Sequence, residues 1–385
     1  MKRIAIVTGS RAEFGLLYWI IKKINDDSDF ELHLLVTGMH LSSEFGLTYT
    51  DIEESGFKVS KKIEILLSSD TSVGISKSIG LGVISFSECY EQLSPDILLV
   101  LGDRFEIFAA SIAAMVARIP IAHIHGGEST EGAIDESIRH SISKMSHLHF
   151  AATETYRQRI IQLGEDPERV FNVGSPALDN ISNLKLLSKE EFEESLNFKL
   201  AKVNALVTFH PITLEKKATQ QHFNELLNSI SGFPELSVIF TKPNADTEGR
   251  VIIKMIDDFV KSNPQKYCGF VSLGQLRYLS ALQYVDFVLG NSSSGLSEVP
   301  VFGIPTINIG DRQKGRIMPQ SVINCEPLAS SVTSAINRAL DSKFLDKISN
   351  IQSPYGTGGS SEKIVEILRN TDLNQLLKKK FYDLE

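Results

Sequence analysis

Two rhythms of apolar residues alternate along this chain. Short β-branched runs fall at residues 3–8 (RIAIVT), 32–36 (LHLLV), 96–101 (DILLVL), 119–124 (IPIAHI), 148–152 (LHFAA) and 170–173 (VFNV). The stretches between them carry apolar residues at helical spacing, as in 105–118 (FEIFAASIAAMVAR). A strand buried on both faces reads as a nearly continuous apolar run, and such runs separated by helices predict a parallel sheet covered on both sides.

The rhythm breaks at 174–203 (GSPALDNISNLKLLSKEEFEESLNFKLAKV), which is polar and poor in strand signals, and reads as a linker plus one helix. It restarts at 205–209, 236–240, 268–271, 285–289 and 304–309. The pattern predicts an α/β protein of two doubly wound, Rossmann-like domains, with ligand held in a cleft between them at the strands' carboxyl ends. The expected boundaries are 1–178, 179–368 and a helical tail at 369–385 that packs back on the first domain. A Gly/Ser loop and a capped amphipathic helix are expected within 353–370 (SPYGTGGSSEKIVEILRN).

Composition narrows the function classes. A length of 385 residues suits two cores better than one. The formal net charge of -8 disfavours nucleic acid or an anionic membrane surface as the main partner. Cys89, Cys268 and Cys325 are far apart in sequence and form no CxxC pair, which reads as reduced thiols. The first apolar run breaks at Thr8-Gly9, so it reads as a strand and not a secretory signal. No apolar run reaches the ~20 residues of a membrane span. The expected location is the cytoplasm.

Five segments carry candidate chemistry. At 8–17 (TGSRAEFGLL) a strand turns into a helix start suited to a phosphate, with Arg11 adding charge; the bland alternative puts Arg11 in a surface ion pair. The segment lacks GxGxxG, so no dinucleotide cofactor is expected. At 99–106 (LVLGDRFE) Asp103, Arg104 and Glu106 follow a strand end, where ligands gather; alternatively Asp103 caps the next helix and Arg104 pairs with Glu106. The segment 121–150 holds five of the nine histidines. His123 and His125 alternate as strand neighbours facing one side. With Glu128 they imitate a metal set, but no HExxH-like spacing supports one, and no metal is expected. Asp135 sits at or near a helix start, where it can pair with Arg139 one turn on, while His140, His147 and His149 read as structural.

In the second half, His210 ends a strand in TFHPITLE. The most specific segment is 289–316 (LGNSSSGLSEVPVFGIPTINIGDRQKGR). Its small-residue turn, Ser292, Ser293, Ser294 and Gly295, suits a diphosphate; Glu298 suits a ribose diol, and Arg312 offsets phosphate charge.

Assembled, these motifs resemble the UDP-N-acetylglucosamine 2-epimerases, specifically the hydrolysing branch that opens sialic-acid-type sugar pathways. The resemblance spans residues 1 to about 368 through SRAEFG, LGDRFE, HIHGGE with IDESIRH, GSPALD, FHPIT, KPNADTEGR and the long 290–316 segment. It implies a glycosyltransferase-B-like fold, a nucleotide-sugar substrate, no cofactor and a homodimer or homotetramer. It also implies anti-elimination of UDP to a 2-acetamidoglucal followed by rehydration, giving ManNAc from UDP-GlcNAc. By position Asp103 and Asp135 match the acid/base carboxylates and His210 the active-site histidine. Arg11, Ser292, Ser293, Glu298 and Arg312 match UDP contacts, and Asn244 and Asp246 fall in a cleft-lining segment.

One departure bears on chemistry. Some relatives read HIEGGE where this chain has HIHGGE, so His125 or Glu128 takes over a proton transfer, or the sugar differs. A 2,4-diacetamido-trideoxyhexose on the route to legionaminic acid is the alternative substrate. A UDP-sugar glycosyltransferase and a nucleotide-sugar-binding regulator without turnover are the other classes the motifs allow.

Overall fold

A computed structural model describes residues 1–67, 71–129, 134–210, 218–243, 249–349 and 351–384. The chain divides into two units, residues 1–182 with 358–385, and residues 183–357. The expected second domain ran to 368. Instead 358–368 cluster with the first unit, because Ile364, Val365 and Leu368 are buried in its core.

The first unit alternates β1 (Lys2–Thr8), α1 (Arg11–Asn25), β2 (Phe30–Thr37), α2 (Tyr49–Glu54), β3 (Val59–Ile63), α3 (Ser72–Leu93), β4 (Ile97–Leu101), α4 (Phe105–Val116) and β5 (Ile121–Ile124). It continues through α5 (Ile134–Met145), β6 (Leu148–Ala151), α6 (Glu154–Gln162), β7 (Val170–Asn172) and α7 (Asp179–Asn183). The seven strands are parallel in the order β3-β2-β1-β4-β5-β6-β7. Alternation along β1 builds a core on each face: Ile4 and Ile6 join one cluster, Ala5 and Val7 the other. This is why the strand reads as apolar without a break.

The second unit has α8 (Lys189–Leu196), β8 (Val203–Thr208), α9 (Ala218–Ser231), β9 (Leu236–Thr241), α10 (Gly249–Ser262), β10 (Tyr267–Phe270), α11 (Gly274–Ala281) and β11 (Phe287–Gly290). Then come α12 (Ser294–Ser297), β12 (Thr306–Ile309), β13 (Val322–Cys325), α13 (Ala329–Ala339) and α14 (Ser342–Ile348). Its six parallel strands run β10-β9-β8-β11-β12-β13. The last helix, α15 (Ser360–Asn370), belongs to the first unit.

Both sheets reverse direction of winding once, between β1 and β4 and between β8 and β11. A crevice opens at the carboxyl ends of the strands flanking such a reversal, and ligands bind there in open α/β sheets. In the first unit those ends are Thr8 and Leu101, so SRAEFG and LGDRFE flank the switch point. In the second they are Thr208 and Gly290, which pair directly and place Phe209 and His210 beside the GNSSS turn. Gly290 has φ +142, and a Cβ on it would lie 1.9 Å from the Thr208 carbonyl oxygen, so the two strand ends touch backbone to backbone.

Among the described residues, no helix is long and apolar enough to cross a membrane.

Candidate active site

At the switch point of the first unit, Arg139 of α5 is almost fully buried and donates to Asp103, to Glu136 Oε2 at 3.0 Å and to the Glu128 carbonyl at 2.9 Å. The sequence paired Arg139 with Asp135; the ion pairs form with Glu136 one residue on and with Asp103 from the β4–α4 turn. Asp103 does not cap α4, whose N-cap is Arg104 and has no side-chain cap bond, so its carboxylate is available to Arg139. The Arg104–Glu106 pair that the sequence offered as the alternative is present, at 2.7 Å and 3.2 Å, with Glu106 fully buried.

Asp135 lies in the first turn of α5, as expected. Its pKa is raised, first by burial and then by the charge of Asp103, against the pull of Arg139 and Arg104. The fold therefore brings the two anticipated carboxylates into one electrostatic cluster from segments about thirty residues apart.

Glu13, not anticipated, belongs to the same neighbourhood. Ser10 caps α1 by accepting from the Glu13 N–H at 3.4 Å, and the Glu13 carboxylate accepts from the Gly9 N–H at 2.6 Å. Burial raises its pKa to about 7, opposed by the Gly9 bond and by Arg104. The S-x-x-E spacing at 10–13 was a readable signal for this cap. Arg11 is 68% exposed and bonds Asp51 at 2.6 Å, the surface pairing that sequence offered as its bland alternative.

The histidines separate. His123 ends up buried within β5, but His125 lies past the strand at φ +65, so the two do not alternate on one strand face. A left-handed conformation is uncommon outside glycine, and here the His125 N–H is tied to the Phe150 carbonyl at 3.1 Å. His125 Nδ1 is 3.4 Å from Glu128 Oε1, and its buried Nε2 has no hydrogen-bond partner among the described residues. His140 bonds Glu136 at 3.2 Å, His147 accepts from the Ile121 N–H at 3.2 Å, and His149 bonds buried Glu165 at 3.0 Å. Each has a structural contact, as the sequence suggested.

In the second unit, Asn291 organises the switch point. Its side chain accepts from the His210 N–H at 2.7 Å and donates to the His210 carbonyl at 2.9 Å. Its own carbonyl accepts from Arg312 at 2.9 Å and from Gln313 at 2.8 Å. The fold thus joins His210, the GNSSS turn and Arg312, three separate sequence candidates. Burial, then Arg312, lowers the His210 pKa to about 4, leaving a neutral ring near pH 7.

Ser292 and Ser294 hydroxyls lie 3.1 Å apart, and Ser294 also meets the Tyr278 hydroxyl at 2.5 Å. Ser293 is the N-cap of α12 and makes no side-chain cap bond. Glu298 follows that short helix, and burial raises its carboxyl to about 7. Gly295 is a packing position: a Cβ there would meet the Thr306 methyl at 2.6 Å. Asn244 and Asp246 lie outside the described residues. Asn291, Gln313 and Tyr278 were missed, since each works through contacts made only on folding.

The two doubly wound parallel sheets are those of the glycosyltransferase-B-like fold class, with carboxylates at one switch point and a serine-rich turn plus arginine at the other. The family model described as UDP-N-acetylglucosamine 2-epimerase matches residues 22–369, and the chain belongs to that family, in its hydrolysing branch. It is 43% identical over 100% of its length, and 99% of the relative's, to a GDP/UDP-N,N'-diacetylbacillosamine 2-epimerase (hydrolyzing) of Campylobacter jejuni. It is 39% identical to the polysialic acid biosynthesis protein P7 of Escherichia coli, over 96% of this chain and 94% of the other. In fold it is similar to a UDP-GlcNAc 2-epimerase from Neisseria meningitidis solved bound to UDP-GlcNAc, with a TM-score of 0.82 at 20% identity, covering 96% of this chain and all of that one.

Proposed function

We propose that this chain hydrolyses a UDP-linked 2,4-diacetamido-2,4,6-trideoxyglucose with inversion at C2; this sugar is the N,N'-diacetylbacillosamine that the name of the 43% identical relative gives as its GDP or UDP conjugate. The observation that carries the chemistry is the cluster of Asp103, Arg139 and Asp135. One carboxylate is held beside a buried guanidinium, and the other has a raised pKa in the same cluster. Two carboxyl groups in contrasting environments are what an acid/base pair requires.

A base takes the C2 proton, the C1–O bond breaks with its electron pair leaving on UDP, and a C1–C2 double bond forms. Water then adds its oxygen to C1 and a proton reaches C2 from the opposite face, releasing the epimeric free sugar. Asp103 and Asp135 supply the acid/base groups. His125, with Glu128 beside it, serves as the additional proton carrier where some relatives have glutamate; its buried Nε2, without a partner among the described residues, supports that role. His210, Ser292, Ser293, Ser294, Glu298 and Arg312 take the nucleotide, with Arg312 offsetting charge on the departing diphosphate. His210 contributes as a neutral ring.

The second reading keeps the chemistry and changes the sugar: UDP-GlcNAc is converted to ManNAc, as the family description and the sialic-acid resemblance favour.

Turnover of both UDP-sugars in deuterated water tests the proposal. The diacetamido substrate is expected to give the higher kcat/KM, with UDP and product sugar carrying deuterium at C2. UDP release without deuterium at C2 would defeat the elimination. Dependence of UDP release on an added acceptor would make the chain a transferase, and a higher kcat/KM for UDP-GlcNAc would select the second reading.

A further inference from the structure

His123 is buried in β5, yet both ring nitrogens are engaged by groups from different elements. Nε2 is 2.7 Å from the Gly102 carbonyl, in the turn that presents Asp103. Nδ1 is 3.1 Å from the hydroxyl of Ser143, which is buried in α5, the helix that carries Asp135. A carbonyl oxygen only accepts, so Nε2 carries the proton. Burial, the largest cause, pushes the His123 pKa down to about 3, so the ring is neutral and Nδ1 accepts from the Ser143 hydroxyl. One tautomer satisfies both contacts.

Two further features belong to the same device. The Gly102 N–H donates to the Ile124 carbonyl at 3.0 Å, so Gly102 is tied to β5 through both of its backbone groups. Gly126 leaves room for the bridge: a Cβ there would lie 2.9 Å from Ser143 Oγ and 3.1 Å from His123 Nδ1. The first glycine of HIHGGE is thereby explained by the close approach of ring and hydroxyl, a need separate from any ligand.

We infer that His123 and Ser143 form a positioning bridge that sets the separation of Asp103 and Asp135, and with it the geometry of proton transfer. The inference rests on the acid/base assignment proposed above. Neither side chain touches the reacting atoms. His123 acts through the Gly102 carbonyl, and Ser143 acts by fixing the tautomer. Loss of the bridge lets the β4–α4 turn and α5 drift apart. Small misplacements of reacting groups are costly, on the order of a hundredfold for ~1 Å.

Three variants separate positioning from bulk packing. Ser143→Ala removes only the hydroxyl donor, and kcat is expected to fall about tenfold with KM within about twofold. His123→Leu keeps volume and loses both contacts, with an expected fall of about a hundredfold. His123→Gln restores an N–H for the Gly102 carbonyl and should recover most of that loss. Thermal unfolding of each variant, measured alongside, shows whether it is folded at the assay temperature; if His123→Leu is not, the Ser143→Ala and His123→Gln pair decides.

A second readout needs no substrate. Titration of carbon-13-labelled aspartate carboxyls in the full chain follows Asp135, assigned by its loss in Asp135→Asn. Asp135 is faced by Asp103, Arg139, Arg104 and Glu106. Since Asp103 raises its pKa, a wider separation in Ser143→Ala should lower it. Wild-type kcat together with an unshifted Asp135 titration in Ser143→Ala would overturn the inference, as would a loss seen in KM alone. If the wild-type chain turns over neither UDP-sugar, the proposed function fails, while the titration still decides whether the bridge sets the pair.

Discussion

His40, His123 and His147 are enclosed in the first unit, and burial, the largest cause for each, lowers their pKa to about 4, 3 and 4. In an unfolded chain each titrates near 6.5. Between that pH and the folded values the unfolded state binds more protons, so stability is present above about pH 6.5 and is lost as pH falls, by at most ~1.4 kcal/mol per pH unit for each ring. Glu13 works the other way. Its carboxyl is raised from 4.5 to about 7, so the folded state holds an extra proton in that window and acidification favours it. His149 and His210 are lowered like these three rings, and Asp135 and Glu298 are raised like Glu13, so five groups oppose three, and the denaturant midpoint is expected to be lower at about pH 5 than at about pH 7; a higher midpoint at the acid pH would contradict this. At this scale the sequence located Asp103, Asp135 and His210 because each sits where a strand ends or a helix begins. Helical spacing offered Asp135 to Arg139; the folded packing delivers Asp103 from another segment as an ion-pair partner and leaves Asp135 in the field of Arg139.

The N-terminus of α15 shows how an element can be completed from far away. Its N-cap is Gly359, which has no side chain to offer, although the sequence anticipated a capped helix. The cap is Asp179 of the GSPALD motif, whose carboxylate accepts from the Ser360 and Ser361 N–H groups at 2.9 Å and 2.6 Å. Asp179→Ala is expected to cost about 2 kcal/mol in denaturant unfolding, as two buried donors lose their acceptor. Loss of less than about 0.5 kcal/mol would show that other groups satisfy them. Gly290→Ala should be far more damaging to the second unit, since its Cβ would collide with backbone at Thr208 and φ +142 is strained for any side chain. Hydrogen exchange confined to residues 183–357 would report it, and wild-type protection of β8 and β11 would refute it. The strands that the apolar pattern passed over, β3 and β13, are both sheet edges. Each exposes part of its length and carries polar residues, Lys61 and Lys62 in one and Asn324 in the other, which breaks the run that marks a central strand.

The chain's two ends meet within the first unit. Lys2 donates to the carbonyls of Leu368, Arg369 and Thr371 at 2.9, 2.6 and 2.7 Å, at the carboxyl end of α15. Truncation after Thr357 removes Ile364, Val365 and Leu368 from that core, and burial of such side chains is worth roughly 1.5–3 kcal/mol each. The first unit is then expected to lose exchange protection along β1 and α1 while residues 183–357 keep theirs; unchanged protection of β1 would refute the assignment of α15 to this core. By itself the sequence determined two parallel α/β sheets, the strands at their centres and the motifs at their switch points. Those features are written in local apolar periodicity and in turn chemistry, which act over a few residues. Only the tertiary structure decided that α15 returns to the first unit, that Asp179 caps it, that Arg139 pairs with Asp103, and that His123 spans Gly102 and Ser143. Each of these joins groups distant in sequence through burial and hydrogen-bond geometry, and none has a local signature along the chain.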